Sequence, residues 1–325
     1  MRLELPGFFD VQVNGFAGVD FNSATLTAGA IDEALARMRE SGVTRCLPTI
    51  ITSSFDRFAA CVRPLARHRS TAIVGIHMEG PYLSAEDGYR GAHLKEHVVP
   101  ASIDDFERRQ EAADGRIVLV TLAAEAPGAT ALIEHAVRTG IRAAIGHSAA
   151  SPSQIADAIA AGATMATHLG NGCAAMLPRH PNVIWELLAA DDVVASVIAD
   201  GHHLPPSTLK SIVRAKGKTR TILVTDAVAA AAAPPGRYTI GDVVCESDGH
   251  GRVSMPGSPY LAGSSLTLDR AIANTVKFTG LSIDDVVPMA STIPAASLGM
   301  TPLGTVSADW DPERAELSVR GVTTS

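Results

Sequence analysis

Two kinds of segment alternate along the chain. Short runs of β-branched and other apolar residues end in polar ones, and between them lie longer stretches with apolar residues at helical spacing. The short runs predict eight strands, over Phe8–Val13, Thr44–Ile50, Ala72–Met78, Ile117–Ala123, Arg142–Gly146, Thr164–Thr167, Val193–Ala199 and Thr221–Thr225. The longer stretches predict helices over Ala28–Ser41, where Ile31, Leu35 and Met38 share a stripe, and over Phe55–His68, Ile103–Ala113, Thr130–Gly140, Ser151–Ala161 and Pro206–Lys216. Ser151 before Pro152 reads as an N-cap followed by proline at the first helical position. Gly42, Gly140, Gly162 and Gly217 fall just past helix ends, where a left-handed residue is expected.

Strand-then-helix units repeated eight times predict a closed parallel (β/α)₈ barrel of the TIM type. A doubly wound open sheet is the competitor, but no G-x-G-x-x-G opens the first helix. Beyond the eighth strand the pattern changes. A low-complexity loop, Ala229–Ala233 with Pro234, Pro235 and Gly236, leads into an expected β-hairpin over residues 238–254, with turns at Gly241 and Asp248-Gly249. Helices are expected over Ser264–Phe278 and within Ser282–Met300, followed by a strand-like tail. The domain reading is one catalytic barrel over residues 1–300 carrying the hairpin insert, and a short tail over 301–325.

Composition narrows the classes. Hydrophobic residues make up 46% of the 325, enough for a large core. Net charge is −7 with no basic tract, which disfavours nucleic acid as a partner. Cys46, Cys61, Cys173 and Cys245 form no C-x-x-C pair and read as reduced thiols of a cytoplasmic protein. No apolar run approaches the roughly 20 residues of a membrane helix, and the first residues hold no signal-peptide core.

Candidate chemistry follows from the barrel, because active sites of this fold lie at the carboxyl ends of the strands. The third strand ends in His77-Met78-Glu79, the fifth in Gly146-His147, the sixth in Thr167-His168, the seventh in Asp200-Gly201-His202-His203 and the eighth in Thr225-Asp226. Glu79, His147 and His168 offer two imidazoles and a carboxylate, a ligand set that suits a catalytic divalent ion with room for water. Each alone has an ordinary reading: a lone strand-end histidine is more often structural, and Glu79 or Asp226 could cap a turn. It is their shared placement that points to a site. His68, His97, His135 and His250 read as surface residues. The first strand has Gln12 and Asn14 where a binuclear hydrolase would have His-x-His, and the fourth ends near Glu125 without a lysine. One catalytic metal, Zn²⁺, is therefore expected. A metal-free aldolase would need a strand-end lysine, and Lys95, Lys210, Lys216, Lys218 and Lys277 fall in loops or helices.

The ordered set of motifs resembles the N-acetylglucosamine-6-phosphate deacetylases of the amidohydrolase superfamily. It comprises residues 6–15 (PGFFDVQVNG), 77–83 (HMEGPYL), 88–93 (GYRGAH), 146–148, 167–169, 198–203 (IADGHH), 224–227 and 262–264. The resemblance implies deacetylation of an amino-sugar phosphate, with Asp226 as general acid/base and His93 polarising the acetamide carbonyl. It implies Asn171, Gly172, His203 and Arg179 as substrate contacts, Arg179 arriving from the neighbouring subunit of a homodimer. Departures fall at Leu169-Gly170-Asn171-Gly172-Cys173, at His180-Pro181 and at His202-His203, and they bear on which sugar is bound. The family builds a small β domain from both chain ends. Here the chain reads as starting at the first barrel strand, so only the tail after Thr301 is expected to represent that domain. Two rivals stand beside this reading: a related amidohydrolase acting on another N-acyl or cyclic amide, and a catalytically silent barrel.

Overall fold

In the computed structural model, which describes residues 1–258 and 260–324, eight parallel strands occur in the expected order: Phe8–Val13, Val43–Ile51, Ile76–Glu79, Ile117–Leu122, Arg142–Ile145, Met165–Ala166, Val194–Ile198 and Thr221–Val224. Each pairs in parallel with its neighbour along the chain, as expected where consecutive elements lie next to each other. The first and eighth strands close the ring. The Asp226 N–H donates to the Gln12 carbonyl at 2.9 Å, the Asn14 N–H to the Ala227 carbonyl at 2.7 Å, and the Thr225 N–H to the Asp10 carboxylate at 3.2 Å. The arrangement is a TIM-type barrel.

Helices follow the strands for local reasons. Thr27, Ser54, Ser102, Ser151 and Asn182 each accept a backbone N–H at a helix start, and Ser151 with Gln154 forms a full capping box. The helix Val183–Ala189 has no counterpart in the sequence reading. It is short, and the proline-containing loop before it obscured its period. The third strand starts later than expected, at Ile76, because Ile73 makes only an isolated bridge to Cys46. The helix expected from Ser264 begins at Leu268. Ser264 instead runs parallel beside Ala227, its N–H donating to the Asp226 carbonyl at 2.9 Å.

Two additions flank the barrel. The insert is three-stranded, Gly236–Ile240, Val243–Ser247 and Val253–Ser254, over a small core of its own that includes Val228, Ile240, Val243, Cys245 and Ala262. In the second, Arg2–Pro6 pairs antiparallel with Thr305–Asp311, which pairs with Glu316–Thr323. This corrects the expectation that the N-terminal part of the small β domain is missing. Arg2–Pro6 is too short and too mixed to be recognised alone, and it becomes a strand only because the tail supplies a partner. Leu5, Val306, Ala308 and Trp310 join the main core. Among the described residues no helix is long and apolar enough to cross a membrane.

Candidate active site

The carboxyl ends of the third, fifth, sixth and eighth strands meet over a cavity of about 250 Å³, with Glu79, His147, His168 and Asp226 in its wall. One donor atom from each of Glu79, His147 and His168 falls within 4.8 Å of the others. The Nε2 atoms of His168 and His147 lie 2.9 and 3.4 Å from Glu79 Oε1. The edge of a tetrahedron with bonds of 2.0–2.1 Å is about 3.3 Å, so these spacings fit a divalent ion. The donors are also prepared for one. His147 Nδ1 donates to the Tyr89 carbonyl at 2.8 Å, which leaves the Nε2 lone pair facing the cluster. The strand ends are bent to aim these side chains: His147, His168 and Asp226 have φ of 51°, 32° and 49°. Left-handed backbone at non-glycine residues costs roughly 1–2 kcal/mol each, and such strain concentrates at functional sites.

Two amides at the end of the first strand arrange the carboxylates. Gln12 Nε2 donates to Glu79 Oε1 at 3.1 Å and to Asp226 Oδ1 at 3.2 Å, while Asn14 Nδ2 donates to the same Asp226 oxygen at 2.7 Å. The sequence marked both only as poor metal ligands; the strand-end rule that found Asp226 also points to them. Burial, and then the charge of Glu79, pushes the Asp226 carboxyl up to about 6. Burial works against ionisation of Glu79 too, but hydrogen bonds with His147 and His168 hold it well below the usual carboxylate range. His93 is buried with its Nε2 3.2 Å from His147 Nε2. Burial and the neighbouring His147 bring its pKa down to about 3, so it stands neutral with an N–H to donate.

Asn171, Gly172 and His203 line the same cavity. Asn171 Nδ2 is buried without a hydrogen-bond partner, so an oxygen acceptor in the cavity would complete it. His203 Nδ1 lies 2.6 Å from Asp200 Oδ2, and Asp200 Oδ1 accepts the N–H groups of His202 and His203 at 2.8 Å each. Asp200, noticed in the sequence only as a strand end, thus locks His203 against the cavity wall. Arg179 is not brought in: it is exposed and does not line the cavity. Of the four histidines read as surface residues only His250 is exposed. His68 and His135 are half-buried on the outside, paired with Asp32 and Glu107, and His97 is half-buried. The insert closes one side of the cavity with Ile240 and Val243, joined by Tyr260 and Leu261 from the loop after it.

The amidohydrolase family model matches residues 4–312. N-acetylgalactosamine-6-phosphate deacetylase of Escherichia coli O157:H7 is 32% identical over 92% of this chain and 79% of its own. N-acetylglucosamine-6-phosphate deacetylase of Homo sapiens is 34% identical over 92% of this chain and 75% of its own. A variant of the N-acetyl-D-glucosamine-6-phosphate deacetylase of Mycobacterium smegmatis, solved in complex with N-acetyl-D-glucosamine-6-phosphate, superposes with a TM-score of 0.90. It is 30% identical, over 98% of this chain and 85% of that one. A barrel with its donors gathered at the strand ends and likeness of this extent lead to one assignment: the chain belongs to the amidohydrolase family, among the N-acetylglucosamine-6-phosphate deacetylases.

Proposed function

We propose that the protein hydrolyses the acetamide of N-acetylglucosamine 6-phosphate, releasing acetate and the amino-sugar phosphate. The observation that carries this is the meeting of Glu79, His147 and His168 beside Asp226 in a chain whose relatives are named for this reaction. The three donors would hold one divalent ion, Zn²⁺, which supplies Lewis-acid polarisation and eases ionisation of water. Asp226 takes a proton from the water that attacks the amide carbon, aimed there by Asn14 and Gln12. Neutral His93 donates its N–H to the carbonyl oxygen as negative charge develops there. Asp226 then returns the proton to the departing nitrogen.

The substrate phosphate calls for a cation, and among the described residues lining the cavity there is no lysine or arginine. His203 provides one contact from within. Arg179 of a second copy provides the other: it lies on an exposed loop beside Met176, 89% exposed, and near Trp185, 54% exposed, apolar side chains suited to a homodimer interface. Asn171 meets the same end of the substrate. Four free cysteines and the small-molecule chemistry support a cytoplasmic location.

A second reading, another N-acyl substrate, draws on the small side chains of Ala92 and Cys173 in the cavity lining, which leave room for a bulkier group. The deciding experiment follows acetate release from N-acetylglucosamine and N-acetylgalactosamine, each with and without 6-phosphate, on Zn²⁺-loaded protein. Turnover confined to the phosphorylated sugars supports the proposal. No acetate from any of them would end it.

A further inference from the structure

The two loops that line the cavity at residues 88–93 and 170–173 are the same loops that touch His147. Tyr89, in the loop over residues 88–93, accepts the His147 Nδ1–H at 2.8 Å. Two residues on, Gly91 lies so close that a Cβ there would sit 3.0 Å from His147 Cε1 and 3.4 Å from Nδ1. From the other loop, a Cβ on Gly172 would sit 2.8 Å from Nδ1, 3.0 Å from Cε1 and 3.1 Å from Cγ. Both glycines are left-handed, with φ of +60° and +59°. The loops also touch each other, since a Cβ on Gly88 would come within 2.9 Å of Ala174 Cα. The imidazole cannot swing away from an added methyl group. Its Nδ1–H is engaged, the rings of His93 and His168 stand edge-on at 4.4 and 4.8 Å, and its own backbone is left-handed.

We infer that Gly91 and Gly172 are positioning residues: bare backbone from two substrate loops grips the Nδ1–Cε1 edge of His147 and so sets where its Nε2 points. This rests on the reading of His147 as a metal ligand. It recasts Gly172, expected as a substrate contact, as part of the support of the metal centre. A side chain at either position displaces the ring by a few tenths of an ångström or more, and ligand geometry tolerates little of that.

The rival explanation is that glycine is needed only for its left-handed backbone. Four single variants of the full chain separate the two: Gly172→Ala, Gly172→Asn, Gly91→Ala and Gly115→Ala. Asn tolerates left-handed φ but carries a Cβ. Gly115, at φ +73°, has nothing within 4 Å of its would-be Cβ and reports backbone strain alone. Zn²⁺ affinity is read by competition with a chelating indicator, and melting of the metal-free proteins checks folding. Gly115→Ala is expected to bind Zn²⁺ like wild type, and the other three to lose about 10- to 100-fold. Should Gly172→Ala not fold, Gly91→Ala, with its longer contact, carries the comparison. Wild-type affinity in Gly172→Asn, or in Gly91→Ala and Gly172→Ala together, overturns the inference while leaving the metal site standing. A wild-type protein that takes up no Zn²⁺ overturns both.

Discussion

Replacing Asp10 by Asn should make the protein more stable at neutral pH, although the aspartate sits at the seam of the barrel and accepts several hydrogen bonds. Asp10 is 1% exposed. Its oxygens accept the N–H groups of Gln12 at 3.3 Å and Thr225 at 3.2 Å and the Thr225 hydroxyl. Among the described residues no cation pairs with it, and burial pushes its pKa from 3.8 to about 7, outweighing those bonds. A carboxyl whose folded-state pKa lies above its unfolded value adds stability that is complete below the unfolded value. That stability is lost as pH rises through the folded one. With these values the loss from acid to alkaline pH totals about 4 kcal/mol, of which about 2.5 kcal/mol falls between pH 5 and pH 8. Asn removes the titration and keeps the shape. Its Nδ2 donates to Thr225 Oγ1, whose hydrogen turns to the Gln12 carbonyl 3.4 Å away. Urea unfolding of metal-free wild type and Asp10→Asn at pH 5 and pH 8 isolates the effect, because the other titrating groups cancel in the difference. The variant should gain on wild type by about 2–3 kcal/mol between the two pH values. A difference that does not change with pH would refute the claim that Asp10 is held protonated by burial.

Three further outcomes are expected. Asp226→Asn keeps an oxygen for Asn14 and Gln12 but puts an amide where the proton is taken up; kcat should fall about 10³-fold with Zn²⁺ content unchanged, and a fall under tenfold would remove Asp226 from its role. Gln12→Leu leaves Glu79 and Asp226 without their shared donor; Zn²⁺ affinity measured by competition should drop about tenfold or more, and an unchanged affinity would deny Gln12 any part in the site. Arg179→Ala and Asp226→Asn chains, each nearly inactive alone, should regain roughly a quarter of wild-type acetate release when unfolded and refolded together, since half the dimers are mixed and each has one complete site. No recovery would place Arg179 outside the partner's cavity.

The barrel was legible because its signals are local. Strand-length apolar runs, Ser and Thr caps and glycines past helix ends lie within a few residues of one another, and the fold's own geometry says which end of each strand bears the chemistry. Glu79, His147, His168 and Asp226 were therefore expected at the rim from their position in the strands, the first three set apart as a metal-ligand set by their donor chemistry. Gln12 and Asn14 stand at the same rim, but their value lies in whom they donate to, and that requires strands one, three and eight in one place.

By itself, then, the order of residues determined the strand count, the parallel succession and the residue types offered at the rim. Only tertiary structure decided that Arg2–Pro6 is a strand, because an edge forms where Thr305–Asp311 presents free backbone groups from the far end of the chain. Only it decided that two glycines lean on His147, that Asp10 is cut off from water, and that Arg179 is exposed and outside its own chain's cavity. Contacts, desolvation and close backbone approach depend on distance in space, and separation along the chain carries no record of them.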